Sequence, residues 1–247
     1  MLKKMMMLTL VLVGCGDQVS ATGALGNLSY GLGIDYEVDG DLTEVSLITG
    51  HPQSISVRMT ADGEGIARDP WLITHTITPD TGTTLEIDEA QEGDSNAPNL
   101  TLTVTEPDLY IVESYYENEL LDYIKINVDR PDSLEVLTWI RDPSAEDFTE
   151  SSFNASLDVE VGTQIALLPI PYAGSERLVG DFAVEYTYTP EDAVVTVHDV
   201  NGVYEQEGVI GSVNSNSLVF VSPETVTVTI TDPANNVTAQ RTFTVAP

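Results

Sequence analysis

Residues Pro223–Asp232 read PETVTVTITD, and threonines alternate there with Val226, Val228 and Ile230. Successive side chains of a β-strand point to opposite faces of the sheet, so the three apolar residues share one face and the threonines the other. This pattern is typical of a strand with one buried face. It predicts a β-sheet in the last part of the chain.

The same alternation recurs along most of the chain. The apolar positions expected to face inward are Ile55, Val57 and Met59; Ile73, His75 and Ile77; Leu100, Leu102 and Val104; Tyr110 and Val112; Ile124, Ile126 and Val128; Leu134, Val136 and Ile140; Ile165 and Leu167; Val184, Tyr186 and Tyr188; Val195 and Val197; Val219 and Val221; Phe243 and Val245. Turn-forming residues such as Asp62-Gly63 and Asn201-Gly202 separate the runs. The nearest candidate for a helix, residues 117–123, is better explained by a hairpin turn. The sequence therefore predicts an all-β protein.

A repeated motif predicts two tandem antiparallel β-sandwiches. Pro107–Val112 and Pro223–Val228 share the pattern Pro-acid-x-apolar-x-Val, at a separation of 223 − 107 = 116 residues. An immunoglobulin-type sandwich needs about 100 residues. We place the two sandwiches at residues 26–130 and 131–247, because Pro131 interrupts the strand pattern between them.

The N-terminus carries the marks of an export signal. Lys3 and Lys4 precede an apolar run from Met5 to Val13, and Gly14 and Cys15 follow it. The run is far shorter than the roughly 20 residues that a membrane-spanning helix needs. We expect a cleaved signal peptide over residues 1–14 and a flexible tether over 15–25, where small and polar residues prevail.

Two resemblances extend this interpretation. Leu12-Val13-Gly14-Cys15 resembles the lipobox of bacterial lipoproteins, which implies cleavage before Cys15 and a lipid on its thiol. Pro223–Thr238 with Thr242–Val245 resembles the last two strands of bacterial immunoglobulin-like domains, and Val161–Leu167 is similar to their early strands. The second resemblance implies a sandwich fold, in which Tyr110 would form a tyrosine corner. The whole chain resembles uncharacterised lipoproteins of this architecture, so neither resemblance implies a ligand.

The charge excludes one class of partner. The chain has 40 acidic and 9 basic residues, a net charge of −31. Removal of Lys3 and Lys4 with the signal peptide would leave 7 − 40 = −33. Nucleic-acid binding depends on Lys and Arg neutralising phosphates, so we expect no nucleic-acid partner. The acidity is explained either by solubility or by calcium binding.

The candidate sites are few. One acidic loop offers oxygen ligands for Ca²⁺, in the residues Glu86, Asp88, Glu89, Glu92, Asp94 and Asn96, although solvated loops explain such a cluster equally. Tyr115 and Tyr116, at an expected hairpin tip, are candidates for binding a sugar or a protein. His75 shares its face with Ile73 and Ile77 and is expected to be a strand histidine. No spacing typical of a catalytic triad, a metal site or a phosphate loop occurs, so we expect neither an enzyme nor a bound cofactor other than calcium.

These observations converge on an acidic protein of the bacterial cell envelope, exported and anchored by lipid at Cys15 on the periplasmic or surface side. We expect a non-enzymatic binding or spacer module whose partner is an unknown protein or carbohydrate. The alternatives are a calcium-dependent adhesive or carbohydrate-binding lipoprotein and an envelope hydrolase.

Overall fold

The computed structural model describes residues 18–33, 41–60, 72–88, 99–145, 147–153, 156–197 and 216–247. This part of the chain contains 19 strands and a 3₁₀ turn at Glu191–Ala193. Within these ranges no helix has the length and apolar character needed to cross a membrane. The prediction of an all-β protein is confirmed.

The N-terminal unit contains nine strands. They are β1 (Gln18–Thr22), β2 (Leu28–Gly33), β3 (Ser46–Ile48), β4 (Pro52–Met59), β5 (Ile73–Thr78), β6 (Thr83–Ile87), β7 (Leu100–Val104), β8 (Asp108–Tyr116) and β9 (Glu119–Asp129). One antiparallel sheet has the order β1-β2-β4-β7-β6, and the other contains β3-β9-β8-β5, with only β3 and β9 parallel. Side chains from both sheets form one buried cluster, so the unit is a β-sandwich.

The C-terminal unit contains ten strands. They are β10 (Ser133–Arg141), β11 (Thr149–Ser152), β12 (Leu157–Glu160), β13 (Gln164–Ala173), β14 (Glu176–Val179), β15 (Glu185–Thr189), β16 (Val194–Thr196), β17 (Asn216–Phe220), β18 (Thr225–Asp232) and β19 (Val237–Ala246). One sheet contains β11-β10-β13-β17-β16, and β14 pairs with the end of β13. The facing sheet has the order β12-β19-β18-β15, in which β12 and β19 are parallel. A second buried cluster lies between these sheets.

The two units share hydrogen bonds, and Val179 of β14 belongs to the buried cluster of the N-terminal unit. β14 pairs in parallel with β3, matching Leu178 with Ser46 and Val179 with Leu47. The pairing joins one sheet of each unit into a single sheet of ten strands. Tandem sandwiches connected only by a linker would not show this continuity.

The predicted alternation holds in most strands and is shifted in two. Leu100, Leu102 and Val104 are all buried, as are the inward residues of β18. The expected inward positions Val195 and Val221 are wrong, because these side chains are 52% and 45% exposed. Val194, Leu218 and Phe220 are buried in their place. Neighbouring apolar residues at these points leave either face available, so the pattern alone did not determine the register.

The expected tether over residues 15–25 is wrong for its middle part. Gln18–Thr22 form β1, which pairs along its whole length with β2. Val19 and Ala21 alternate inward and are 2% and 7% exposed. The small residues that suggested flexibility therefore form an edge strand, and the N-terminal unit reaches back at least to Gln18.

The repeated motif begins the same element in both units. β8 and β18 each pair with the next strand as an antiparallel hairpin. In the first hairpin Glu117 and Asn118 adopt positive φ angles of 50° and 69°, which suits a tight two-residue turn. The tyrosine corner predicted at Tyr110 is confirmed, because its hydroxyl donates to the Glu106 carbonyl oxygen at 2.8 Å.

Candidate functional site

The outward face of β5, β8 and β9 carries a group of unburied apolar and aromatic side chains. Tyr115 lies opposite Thr74 on β5 and Leu120 on β9. Glu113 lies opposite Thr76 and Tyr123 in the same register. Paired residues share a face of the sheet, so these side chains are neighbours. We call this surface the tyrosine face, defined by Thr74, Thr76, Glu113, Tyr115, Leu120 and Tyr123.

The tyrosine face is open and carries little charge for a chain this acidic. Leu120 is 43% exposed, and Tyr115 and Tyr123 are each partly exposed. The Tyr115 hydroxyl donates to Glu113 Oε2 at 3.1 Å. This hydrogen bond and the nearby carboxylate raise the pKa of Tyr115. The arrangement offers an aromatic ring, a hydroxyl and a carboxylate within reach of one ligand.

Tyr115 and Tyr116 do not act as the pair expected from their adjacency. Tyr115 lies on the outward tyrosine face, whereas Tyr116 packs against the core of the N-terminal unit. Successive residues of a strand point to opposite faces, which separates the two rings. On the tyrosine face Tyr115 lies opposite Leu120, and Tyr123 lies opposite Glu113. The sequence analysis predicted neither Leu120 nor Tyr123 as a binding residue. Tyr123 reaches this face because the hairpin brings β9 back beside β8, and the sequence alone does not show which residues of the two strands pair.

Only two of the acidic-loop candidates fall in the described residues. Glu86 lies on the exposed edge strand β6, and Asp88 follows that strand and is also exposed. Glu89, Glu92, Asp94 and Asn96 lie outside the described residues, as does Cys15. Among the residues that are described, no three His, Cys, Asp or Glu side chains are grouped so as to hold a metal. The calcium site and the lipid anchor stay predictions.

A buried polar network in the N-terminal unit resembles a nucleophile and its base but is closed to substrate. The Ser114 hydroxyl lies 2.9 Å from His75 Nδ1 and 2.7 Å from the Tyr30 hydroxyl. Ser114 and Tyr30 are 0% exposed and His75 is 6% exposed. Burial lowers the pKa of His75 to about 4 and raises that of Tyr30 above its ordinary value. His75 is therefore a neutral strand histidine inside the sandwich, as the sequence predicted.

A buried carboxylate holds the turn between β1 and β2 in the same unit. Asp122 is 0% exposed and accepts hydrogen bonds from the backbone N–H groups of Leu25, Asn27, Leu28 and Tyr123, each at 2.8 Å. A Cβ atom on Gly23 would lie only 2.3 Å from the Asp122 Cγ atom. The carboxylate thus supplies the acceptor for backbone N–H groups of this turn that would otherwise need solvent. This is a structural function, because nothing from outside can reach the group.

A cavity of about 320 Å³ lies beside β10 and β11. Its lining includes Glu135 and Glu150, a pair of carboxylates of the kind that glycoside hydrolysis would need. Both side chains are exposed. A general-acid carboxyl is kept protonated by an apolar surrounding, which solvent-exposed groups lack. The geometry therefore does not favour the hydrolase alternative at this cavity.

Comparison with known proteins gives likenesses in structure alone. No protein-family model matches the chain, and no curated protein matches it. Domains 4 and 5 of the S-layer protein SbsC overlap with it at a TM-score of 0.29 and 12% identity, over 89% of this chain and 98% of that one. The Escherichia coli adhesin FdeC gives 0.31 and 12%, over 82% and 62%. The D0-D1 domain of intimin gives 0.30 and 12%, over 83% and 96%. At these values the likenesses assign neither a family nor a function.

Proposed function

We propose that this protein is a non-enzymatic module of the bacterial cell envelope, exported, lipid-anchored at Cys15 and built to bind a partner or space it from the membrane. The observation that carries the binding function is the tyrosine face, an open sheet surface with Leu120 exposed and Tyr115 and Tyr123 partly exposed. Exposed aromatic and aliphatic side chains grouped on one face favour recognition of another molecule. A net charge of −31 keeps the rest of the surface soluble.

The anchor is tested separately from the binding. Cells expressing the chain are labelled with a radioactive fatty acid, and the protein is followed through membrane fractionation. We expect label and membrane association in the wild type, and neither in Cys15→Ser. Wild-type protein in the membrane fraction without the fatty-acid label would contradict the lipid anchor, as would Cys15→Ser protein that still fractionates with the membrane. Neither result would bear on binding by the tyrosine face.

The binding test uses the Cys15→Ser protein as bait for envelope extracts. We expect the triple substitution of Tyr115, Leu120 and Tyr123 by Ser to lose the captured partner. The matched control replaces the exposed Val195 and Val221 by Ser, which removes apolar surface elsewhere. Equal capture by both variants would contradict a binding function for the tyrosine face.

The tyrosine face also favours a carbohydrate as the partner. Sugar rings stack on aromatic side chains while their hydroxyls bind carboxylates, and Tyr115 and Glu113 are already joined by a hydrogen bond. Titration of the labelled Cys15→Ser protein with envelope polysaccharide tests this candidate by NMR. We expect shift changes confined to β5, β8 and β9. Shift changes spread over both units, or no shift changes, would contradict carbohydrate binding at the tyrosine face. A protein would then remain the expected partner.

Calcium dependence remains a proposal for the loop from Glu86 to Asn96. A cation that binds only the folded state raises the melting temperature by mass action. Melting of the Cys15→Ser protein in millimolar CaCl₂ and in chelator measures this directly. Superimposable melts would end the calcium-dependent alternative.

A further inference from the structure

The two units meet at a buried junction that is separate from the tyrosine face. Its apolar part is a small cluster of Ile48, Leu178 and Phe182, each less than 5% exposed. Beside this cluster, residues 49–53 of the N-terminal unit contact two loops of the C-terminal unit, at residues 180–183 and 232–235. The parallel pairing of β3 with β14 runs through the same region.

Gln53 makes the shortest contacts across the junction. Its Nε2 donates to the Asp181 carbonyl oxygen at 2.6 Å, and its Oε1 accepts from the Asp181 backbone N–H at 2.7 Å. The side chain is 2% exposed. One amide therefore satisfies both backbone groups of a residue 128 positions away, which fixes distance and orientation together.

His51 is held in one tautomer by groups of the other unit. The Ala183 backbone N–H donates to His51 Nδ1 at 3.3 Å, so this nitrogen carries the lone pair. Nε2 then carries the proton and donates to Asp232 Oδ1 at 3.0 Å. Burial raises the pKa of Asp232, but the hydrogen bonds from His51 and Asn235 outweigh it and hold that pKa below its usual value. Asp232 is thus a buried, ionised acceptor.

Thr49 and Asn235 form a third pair of contacts across the junction. The Thr49 hydroxyl donates to Asn235 Oδ1 at 2.8 Å, and Asn235 Nδ2 donates to the Thr49 carbonyl oxygen at 3.0 Å. Asn235 Nδ2 also donates to Asp232 Oδ2 at 2.8 Å, which links this pair to His51. These pairs form one connected network, because Gln53 Nε2 also donates to the His51 carbonyl oxygen at 3.3 Å. Thr49, His51 and Gln53 are each bonded to a group of the opposite unit.

We propose that this junction makes the two sandwiches a single rigid body that unfolds in one cooperative transition, so that the protein acts as a strut of fixed shape. Domains in one chain normally move relative to each other unless their interface is large and apolar. Here separation would leave buried donors and acceptors without partners and would expose the β3 edge, and both changes are costly. The proposal is independent of what the tyrosine face binds.

A matched pair of glycine variants tests the junction. Gly180 and Gly174 both have positive φ angles, +113° and +60°, so alanine strains the backbone at either position. A Cβ on Gly180 would lie 2.0 Å from Gln53 Oε1, whereas a Cβ on Gly174 would meet nothing within 4 Å. Gly180→Ala therefore disturbs the Gln53 contacts, and Gly174→Ala is the control for an alanine at a positive φ angle away from the junction.

Cooperativity is read by native-state hydrogen exchange on the full chain with Cys15→Ser. Val57→Ala destabilises the N-terminal core, where Val57 is 0% exposed. We expect it to accelerate exchange in β8–β9 and in β18–β19 by the same factor, at least tenfold. In the Gly180→Ala background the acceleration should be confined to β8–β9, and in Gly174→Ala it should again reach both hairpins. Acceleration restricted to β8–β9 without any junction variant would overturn the proposal.

Rigidity is read by distances between spin labels. Cysteines replace the exposed Thr74 and Gln240, one in each unit, in the Cys15→Ser chain. We expect a distance distribution as narrow as that of a control pair within one unit, at Thr74 and Lys125. Broadening in Gly180→Ala but not in Gly174→Ala supports the junction. A distribution several times broader than the control with the junction intact would mean that the units are hinged.

Discussion

Two buried charged side chains, Asp122 in the N-terminal unit and Arg241 in the C-terminal unit, are held in opposite ways. In the N-terminal unit, Asp122 accepts four backbone hydrogen bonds and Ser114 bridges two other buried residues. In the C-terminal unit, Arg241 is 3% exposed, and no hydrogen-bond partner is found for its guanidinium nitrogens in the described structure. Arg241 instead lies over the rings of Phe153 and Phe243, at 5.6 Å and 4.9 Å from their centroids. A buried polar group therefore contributes to stability only through its partners, because its removal from water costs free energy.

The largest effect is expected at Asp122. Asp122→Ala leaves four backbone donors without their acceptor, and the one of Leu28 is fully buried, where an unpaired donor costs about 1–3 kcal/mol before relaxation. We expect the free energy of unfolding in urea to fall by about 4 kcal/mol. The matched control is Asp129→Ala on the same strand, where the side chain is partly exposed. That variant should stay within about 0.5 kcal/mol of the wild type. A comparable loss in both variants would show that the hydrogen bonds of Asp122 contribute nothing specific.

The pH dependence of stability tests the same unit at His75. Burial lowers the pKa of His75 to about 4 from 6.5, so the unfolded state binds a proton more readily than the folded state. Its contribution is fully present above pH 6.5 and is lost as the pH falls from 6.5 to 4. The loss in the free energy of unfolding over this range is about 3 kcal/mol. Urea unfolding of the wild type and His75→Phe at several pH values measures the difference. Between pH 4 and 6.5 the free energy of unfolding should depend less steeply on pH in His75→Phe than in the wild type. Equal slopes would mean that His75 is accessible to protons in the folded state.

Arg241 is expected to respond in the opposite direction to Asp122. Burial lowers the pKa of Arg241, which reflects the cost of its charge in the sandwich. Arg241→Met keeps the length of the side chain, removes that cost and gives up the contacts with the two aromatic rings. We expect a gain of about 1 kcal/mol in the free energy of unfolding. Arg241→Lys keeps the charge and should show no gain. A loss in Arg241→Met would mean that the ring contacts outweigh desolvation.

The sequence was sufficient for the parts of the fold that local pattern controls. Alternation located strands such as β7 and β18, and the motif before β8 located Tyr110 and its corner. It failed where two apolar residues are adjacent, as at Val194-Val195, because period-two burial then fits either face. It also missed β1, whose small residues suggested a tether, although β2 provides a complete pairing partner for them.

The candidate sites were less predictable, because they are made by distant segments. Tyr115 and Tyr116 were grouped by adjacency, whereas the hairpin places Tyr115 opposite Leu120 on a face that Tyr123 shares. The junction joins His51 to Asp232 across 181 residues, and neither residue stands out from its neighbours in the sequence. Asp122 is one of 40 acidic residues, and only the fold shows that it is fully buried. Side-chain pairing across a sandwich carries no local periodicity, so a single sequence does not reveal it.

A small effect on stability is expected at the hairpin that both units share. Tyr110 in β8 and Val226 in β18 occupy corresponding positions of the repeated motif, and both are buried. Only Tyr110 carries a hydroxyl, which donates to the Glu106 carbonyl oxygen four residues before it. Tyr110→Phe removes this one hydrogen bond and keeps the ring, so the free energy of unfolding should fall by about 1 kcal/mol. Tyr123→Phe is the control on the neighbouring strand and should leave urea unfolding unchanged. If Tyr110→Phe is equally silent, the corner is a consequence of the fold in the N-terminal unit and does not stabilise it, which would explain how β18 begins the same hairpin with a valine.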